Sequence, residues 1–144
     1  DFETYFDIFH RNLKIDEGQT VHFELGRSLV AQCGELITRA LYNKETSAGT
    51  KIVIVDAGMT DLIRPALYGA KHKIENLTSA TGSEKYTIGG PICESSDIFG
   101  RDVELPVTSR GDLLTLRSAG AYGMAMASRY NLQDLPGAVY SDKL

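Results

Sequence analysis

The sequence predicts a mainly β domain, either a barrel or a sandwich, that follows one amphipathic helix. Two observations indicate this fold class: short apolar runs recur along the chain, and glycine and proline residues separate them. The 144 residues are enough for one domain with a real core. The chain shows no internal repeat, low-complexity segment or coiled-coil heptad, so the pattern indicates a globular fold.

The chain opens with a predicted helix that Asp1 can cap. Its apolar side chains recur at helical spacing, and we expect this stripe to face a core; it consists of Phe2, Tyr5, Phe6, Phe9 and Leu13. Residues 16–19 break the helix, and residues 21–25 then alternate between apolar and polar side chains, which is typical of a strand. Residues 28–42 predict a long strand that bends at Gly34.

Shorter elements follow along the rest of the chain. Residues 51–55 (KIVIV) predict a buried strand, and residues 60–70 predict a brief helix with Pro65 in its first turn. Further strands are predicted near residues 72–77 and over residues 86–93, 102–105 and 112–117. Residues 78–85 predict a flexible loop, and the small residues between 120 and 130 leave the conformation of that segment open.

The composition narrows the classes of function. A formal net charge of −4 and the absence of a long run of Lys and Arg argue against a nucleic-acid partner. No apolar stretch is long enough to span a membrane and no signal peptide is visible, so we expect no membrane partner. Cys33 and Cys93 form no CxxC pair, which favours a reducing compartment and a cytoplasmic protein.

The motifs of several enzyme classes are absent. The sequence has no GxxxxGK[ST] phosphate loop, no HExxH pair, no GxSxG elbow and no paired Cys/His spacing, so we expect no metal. His10, His22 and His72 are isolated in sequence, and surface or core roles are the more common ones for such histidines.

Residues 90–97 (GPICESSD) carry the most informative chemistry. Cys93 stands directly beside Glu94, where an extended run meets a turn. The negative charge of Glu94 disfavours the thiolate, so Cys93 is suited to carry a proton rather than to act as a ready nucleophile. A buried structural cysteine beside a solvated glutamate explains these two residues equally well.

Three further groups of polar residues are candidates for ligand binding. Residues 24–27 (ELGR) place a carboxylate and a guanidinium around a glycine, which suits a phosphate but also an ordinary turn with a surface ion pair. Arg64 and Tyr68 share one helix face and could together hold a carboxylate, although such pairs are more often plain helix surface. Tyr122, between small residues, could reach a ligand or cap the core.

In series, these segments resemble the C-terminal part of the diaminopimelate decarboxylase family, pyridoxal phosphate enzymes of the alanine-racemase-like type. The matching stretches occur in the family's order and cover nearly the whole chain: residues 24–27 (ELGR), 56–59 (DAGM), 64–70 (RPALYGA), 90–97 (GPICESSD), 111–113 (GDL) and 120–123 (GAYG). Each stretch is a weak signal alone, but the series is highly specific.

The resemblance implies a two-domain enzyme. Residues 1–27 would be the last helix and strand of a (β/α)8 barrel, and residues 28–144 would be the C-terminal β domain, a barrel or sandwich. The chain lacks an initiator Met and would be a piece of a larger protein. The family's cofactor-anchoring lysine belongs to the barrel, and no lysine of this chain lies in its motif, so we expect the chain alone to be inactive.

The resemblance also implies roles for particular residues. Those along the cofactor phosphate would be Glu24, Leu25, Gly26 and Arg27, although Leu25 stands where the motif commonly has proline. Tyr122 would contact cofactor and substrate, and a substrate carboxylate would be held by Arg27, Arg64 and Tyr68. Glu94 would accept the distal ammonium group. Cys93 would donate a proton from the neighbouring subunit, which implies a homodimer with shared active sites.

The implied reaction converts meso-2,6-diaminopimelate to L-lysine and CO2. Two alternatives stay open: a carboxynorspermidine-type decarboxylase, and a non-catalytic relative whose β domain serves only subunit association. Arg64 is the residue that distinguishes a diaminopimelate decarboxylase from a decarboxylase for a simple diamine precursor, because the substrate of the latter has no distal carboxylate to bind.

Overall fold

Six strands form one sheet in the computed structural model, which describes residues 1–143. The strands are β1 (Leu36–Glu45), β2 (Lys51–Val55), β3 (Ile74–Asn76), β4 (Glu84–Gly89), β5 (Ile98–Leu105) and β6 (Leu113–Leu116). The helices are α1 (Phe2–Asn12), α2 (Arg27–Val30) and α3 (Arg64–Tyr68). Short 3-10 turns occur at Ala31–Cys33, Met124–Met126, Tyr130–Leu132 and Ser141–Lys143.

The sheet curls until its two edges meet. Its strand order is β3-β6-β1-β2-β4-β5, and every pair is antiparallel except β2 with β4. The edge strands β3 and β5 pack against each other, and a Cβ on Gly100 of β5 would lie 3.5 Å from Ile74 of β3. The sheet is therefore nearly closed like a barrel, which confirms the predicted mainly β fold.

The core fills the inside of this curled sheet. Strand residues supply most of it, and Leu62 joins them from the loop before α3. The apolar strand residues are Ala40, Val53, Val55, Ile74, Ile88, Phe99, Leu105, Leu114 and Leu116. Buried apolar area of this kind stabilises at about 25 cal/mol per Å². Tyr86 is also buried, and its hydroxyl donates to Glu84 at 2.6 Å while it accepts the backbone N–H of Thr108 at 3.1 Å.

Most predicted elements are confirmed, some with shorter bounds. Helix α1 begins where Asp1 accepts a hydrogen bond from the Thr4 amide at 2.8 Å, and β2 spans the predicted residues. Helix α3 is shorter than predicted and has Pro65 in its first turn. Strands β3 and β6 are shorter than predicted, and β5 is longer. Strand β4 begins at Glu84, inside the predicted loop, and ends at Gly89 because residues 90–97 close a turn.

Two predicted strands near the N-terminus are wrong. Residues 21–25 form no strand, because among the described residues they have no neighbouring strand with which to exchange hydrogen bonds. Residues 28–42 are not one strand either: α2 and a 3-10 turn occupy residues 27–33, and β1 starts at Leu36.

The apolar stripe of α1 does not face the sheet core. Helix α1 has no buried residue and contacts no strand within residues 1–143. Instead, Phe23 packs edge-to-face on Phe6 and Phe9, each with ring centroids 4.9 Å apart. The expectation that this stripe packs into a core is therefore wrong for the part of the chain that the structure describes.

A close crossing of two backbones places Tyr122 beside the turn that follows α2. The Ala119 amide donates to Gly34 at 2.8 Å, and the Gly120 amide donates to Ala31 at 2.9 Å. A Cβ on Gly120 would lie 2.2 Å from the carbonyl oxygen of Val30, and non-bonded contacts of a Cβ below 3.0 Å essentially never occur in proteins. Only glycine allows this crossing.

We therefore expect Gly120→Ala to lower the free energy of unfolding by roughly 1–3 kcal/mol, since the added methyl group must displace backbone atoms. Urea unfolding of the protein measures this loss. Gly137→Ala is the matched control, because a Cβ there meets nothing within 4 Å. Equal unfolding midpoints for the two variants would contradict the role given to the crossing.

Arg117 joins two carboxylates next to this crossing. It forms ion pairs with Glu35 and with Glu75, the latter at 2.5 Å, and the Thr115 hydroxyl donates to Glu35 at 2.9 Å. The Thr115 hydroxyl and Arg117 lower the pKa of Glu35. Lys73 and Arg117 lower the pKa of Glu75. Both carboxyl groups are thus more easily ionised in the folded protein than in the unfolded chain.

This difference gives stability a pH dependence with a definite sign. The stabilisation is present above the ordinary Glu pKa of about 4.3 and is lost as the pH falls through the lowered pKa values. Arg117→Met should therefore flatten the fall in unfolding free energy below about pH 4.3, modestly because the pairs are solvent-screened. Arg101→Met removes an exposed arginine without an ion pair among residues 1–143 and should leave that slope unchanged. Parallel slopes for all three proteins would refute this account.

Candidate active site

One open cleft brings together four residues that the sequence singled out. Arg27, Arg64, Tyr68 and Tyr122 line it together with Met126, and its volume is about 460 Å³. The guanidinium carbon of Arg64 lies 5.2 Å from the ring centre of Tyr68 and 5.8 Å from that of Tyr122. Two aromatic faces therefore hold this cation in place through cation–π attraction.

The local backbone explains how these side chains reach the cleft. Helix α3 is one short turn that ends at Gly69 in the left-handed region (φ +62°), so Arg64 and Tyr68 project from the same face. Tyr122 has φ 59° although it is not glycine, and Ala121 before it is buried. Such a backbone persists only where its surroundings hold it, and it leaves the Tyr122 ring 46% exposed in the cleft.

The segment 24–27 borders the same cleft. Glu24, Gly26 and Arg27 are exposed, and Leu25 is half-buried. A Cβ on Gly26 would lie 3.2 Å from the Tyr122 hydroxyl oxygen, so the absence of a side chain leaves the backbone and this hydroxyl side by side. The structure thus combines a bare backbone, a phenol and the Arg27 guanidinium at one end of the cleft.

Cys93 and Glu94 lie elsewhere on the chain's surface. Glu94 lines a second cleft of about 400 Å³ with Met59, Thr60, Ile63, Ser96, Ser128 and Tyr130, none of which lines the first cleft. Both Cys93 and Glu94 are exposed, so the alternative of a buried structural cysteine is wrong. Their side chains face outward, available to a group outside the described chain.

Sequence reasoning gave no role to Met126, which lines the first cleft, or to Asp97, which lies in the turn that carries Glu94. Met126 lies in the small-residue segment whose conformation the sequence left open, so nothing marked it. Asp97 is only 3% exposed and accepts backbone N–H bonds from Met59 and Ile92. Burial raises the pKa of Asp97, and the two N–H bonds oppose that rise. The available signal in the sequence was the pair of glycines, Gly58 and Gly90, whose lack of a side chain leaves room for the Asp97 carboxylate.

Two other kinds of site are not found. No group of three or more His, Cys, Asp or Glu residues within the described part of the chain could hold a metal ion. None of the described helices has the length and apolar character needed to cross a bilayer.

Comparison with known proteins identifies relatives of this fold and sequence. The family described as "Pyridoxal-dependent decarboxylase, C-terminal sheet domain" matches residues 6–120. The chain is 56% identical over 144 residues to the diaminopimelate decarboxylase of Bacteroides thetaiotaomicron, spanning all of this chain and 37% of that protein. It is 49% identical over 114 residues to the Helicobacter pylori diaminopimelate decarboxylase, spanning 78% of this chain and 28% of that one.

Solved structures give the same relation. A Methanocaldococcus jannaschii diaminopimelate decarboxylase in complex with L-lysine superposes with a TM-score of 0.79 at 40% identity, over 93% of this chain and 30% of that one. The Helicobacter pylori enzyme with L-lysine gives 0.72 at 48% identity, over 78% and 28% of the two chains. A Selenomonas ruminantium lysine decarboxylase, at 22% identity and TM-score 0.73, shares the fold.

These matches confirm the family resemblance that the sequence motifs carry. The chain spans only part of the length of the curated relatives it matches, 37% of the Bacteroides thetaiotaomicron protein and 28% of the Helicobacter pylori one. With a family match over residues 6–120 and the same sheet architecture, the chain belongs to the pyridoxal-dependent decarboxylases and forms their C-terminal sheet domain.

Proposed function

We propose that the full-length protein carrying this chain converts meso-2,6-diaminopimelate to L-lysine and CO2. The observation that carries the proposal is the Arg64 guanidinium between the rings of Tyr68 and Tyr122 in an open cleft. Relatives at 43–56% identity are named diaminopimelate decarboxylase, and two similar structures hold L-lysine, the product of this reaction.

The residues at one end of the cleft fit the cofactor of the family. Gly26 brings bare backbone beside the Tyr122 hydroxyl, and Arg27 adds positive charge, which is the donor set that a phosphate needs. Glu24, Leu25, Gly26 and Arg27 would therefore lie along the phosphate of pyridoxal 5'-phosphate, with Tyr122 in contact. When bound, this group supplies an electron sink for the pair released as CO2 leaves.

The same cleft suits one end of the substrate. Arg64 can bind a carboxylate with two parallel hydrogen bonds, and Tyr68 and Arg27 add a hydroxyl and a second cation. Because the aromatic faces restrict the Arg64 side chain, little of its conformational freedom is lost on binding. Met126 supplies an apolar wall for the methylene chain.

Glu94 and Cys93 complete the neighbouring site of a homodimer. Glu94 would accept the distal ammonium group of the substrate, and the Cys93 thiol would give its S–H proton to the carbon that loses CO2, becoming a thiolate. Their exposure and their absence from the lining of the Arg64 cleft support this arrangement, since both side chains are free to reach a site on a second chain.

Three further expectations belong to the same proposal. Residues 1–27 would complete a (β/α)8 barrel, and residues 28–144 would form the C-terminal domain. The chain alone would be inactive, since no lysine in it lies in the cofactor-anchoring motif. The free thiols of Cys33 and Cys93 support a reducing, cytoplasmic location.

Arg64→Ala tests the proposal directly. A charge-assisted hydrogen bond contributes roughly 1.5–3 kcal/mol, so kcat/KM for diaminopimelate should fall on the order of 10- to 150-fold. The loss should be much smaller for a substrate that lacks the distal carboxylate. Arg110→Ala, which removes an exposed arginine, is the control and should change neither value. Equal losses on both substrates would remove Arg64 from this role, and a full-length protein inactive on diaminopimelate would overturn the proposed function.

A second prediction concerns Cys93. Positioned acids contribute about 10²–10⁴-fold, so Cys93→Ala should lower kcat by a factor in this range while the fold and the cofactor absorbance persist. Cys33→Ala is the matched control and should retain activity, because Cys33 is an exposed free cysteine in the 3-10 turn after α2, outside the 90–97 turn. Mixing inactive Cys93→Ala protomers with protomers lacking the cofactor lysine should restore activity, since one site of each heterodimer then holds both groups. No recovery despite proven subunit exchange would place the thiol outside the partner's site.

A further inference from the structure

We propose that Asp97 is a positioning residue that fastens the 90–97 turn, which carries Cys93 and Glu94, to the loop that leads into α3. Its catalytic consequence rests on the proposed function. The structural half of the proposal is the fastening itself, which rests on the geometry of one buried carboxylate between two loops. It can therefore be tested separately from the catalytic consequence.

Each oxygen of the Asp97 carboxylate serves a different loop. Oδ1 accepts the backbone N–H of Met59 at 2.6 Å, and Oδ2 accepts that of Ile92 at 2.7 Å. A side chain that is 3% exposed has little solvent to replace either bond. An ionised carboxylate accepts at both oxygens, whereas an amide would present a donor to one of these N–H groups.

Backbone bonds hold the turn on both sides of Cys93. The Gly90 amide donates to the Asp97 carbonyl at 3.0 Å, and the Asp97 amide donates to the Glu94 carbonyl at 3.0 Å. The Glu94 amide donates to the Ile92 carbonyl at 2.7 Å. These bonds and the Asp97 side chain enclose residues 92–94 and hold their backbone in one conformation. The exposed side chains of Cys93 and Glu94 therefore project from a fixed backbone.

Two glycines make the approach of the loops possible. A Cβ on Gly90 would lie 2.4 Å from Oδ2 of Asp97 and 2.6 Å from the Cα of Gly58. A Cβ on Gly58 would lie 2.8 Å from the Ile92 side chain and 3.3 Å from Oδ2. Burying an unpaired carboxylate costs free energy that an apolar side chain would not. Its presence here is explained by the backbone geometry that it sets.

The second loop connects Asp97 to the Arg64 cleft. The Gly58 carbonyl accepts from the amide of Leu62 at 3.2 Å, and Leu62 is buried in the core. Ile63 follows as the residue that caps α3, whose first residue is Arg64. Asp97 thus fixes the position of the 90–97 turn relative to α3. In the proposed dimer, the turn would serve one active site and α3 would serve the other. Misplacement of about 1 Å costs on the order of 10²-fold in rate.

The test compares Asp97→Asn with Asp56→Asn in the full-length holoenzyme. Asp56 is the matched control, because its carboxylate also accepts two bonds, from the Thr38 hydroxyl at 2.6 Å and the Arg39 amide at 2.8 Å, without touching the 90–97 turn. Hydrogen exchange of the Met59 and Ile92 amides should accelerate at least tenfold in Asp97→Asn only. This readout needs no activity, so it decides the structural half even if the proposed function fails.

Turnover distinguishes positioning from stability. Asp97→Asn should lower kcat on the order of 10²-fold, and should have little further effect on kcat in a Cys93→Ala background, because its effect on kcat passes through that thiol. Unchanged exchange, equal exchange in both variants, or an undiminished effect on kcat in the double variant would overturn the proposal.

A measurement on the unmodified protein covers the case in which Asp97→Asn does not fold. The Met59 and Ile92 amides should then exchange as slowly as core amides such as that of Leu116, because they open only when the protein unfolds. Exchange of these two amides through fast local opening would refute the fastening role of Asp97.

Discussion

Much of the candidate site depends on the contact between the backbones of Gly34 and Gly120. Two amide bonds, from Ala119 and Gly120, hold the segment before Tyr122 against the turn that follows α2. Arg27 begins that helix, so one crossing sets both the phenol and a cation at the same cleft. The ion pairs of Arg117 with Glu35 and Glu75 brace this region from the sheet side.

The positively and negatively charged side chains of the candidate site lie in different clefts. The Arg64 cleft gathers two cations and two phenols, whereas Glu94 stands with hydroxyl and apolar neighbours in the other cleft. This separation suits a substrate with a carboxylate and an ammonium at its distal end, provided that two chains contribute to each site. Within each chain, the buried Asp97 carboxylate holds together the turn that carries Glu94 and the loop that leads to Arg64.

Sequence reasoning worked best where the physics is local. The cap at Asp1 and the turn of α3 with Pro65 depend on neighbours a few residues away, and both are present. The KIVIV strand is present too, because its unbroken apolar run is typical of a strand buried between two others, here β1 and β4. It failed at residues 21–25 and 28–42, where a strand needs a partner that periodicity cannot reveal. The apolar stripe of α1 likewise has the spacing of a core face without a sheet to cover it.

The sequence by itself determined the family and the mainly β fold, and it singled out the residues proposed to bind a carboxylate, a phosphate or an ammonium group, because these follow from residue types in a fixed order. Only the tertiary structure decided which of them meet. Arg64 and Tyr122 are far apart in sequence, and Cys93 is nearer to Arg64 than Tyr122 is, yet Tyr122 shares the cleft and Cys93 does not. Sheet closure and backbone crossings set such distances, and these are long-range contacts that no local pattern encodes.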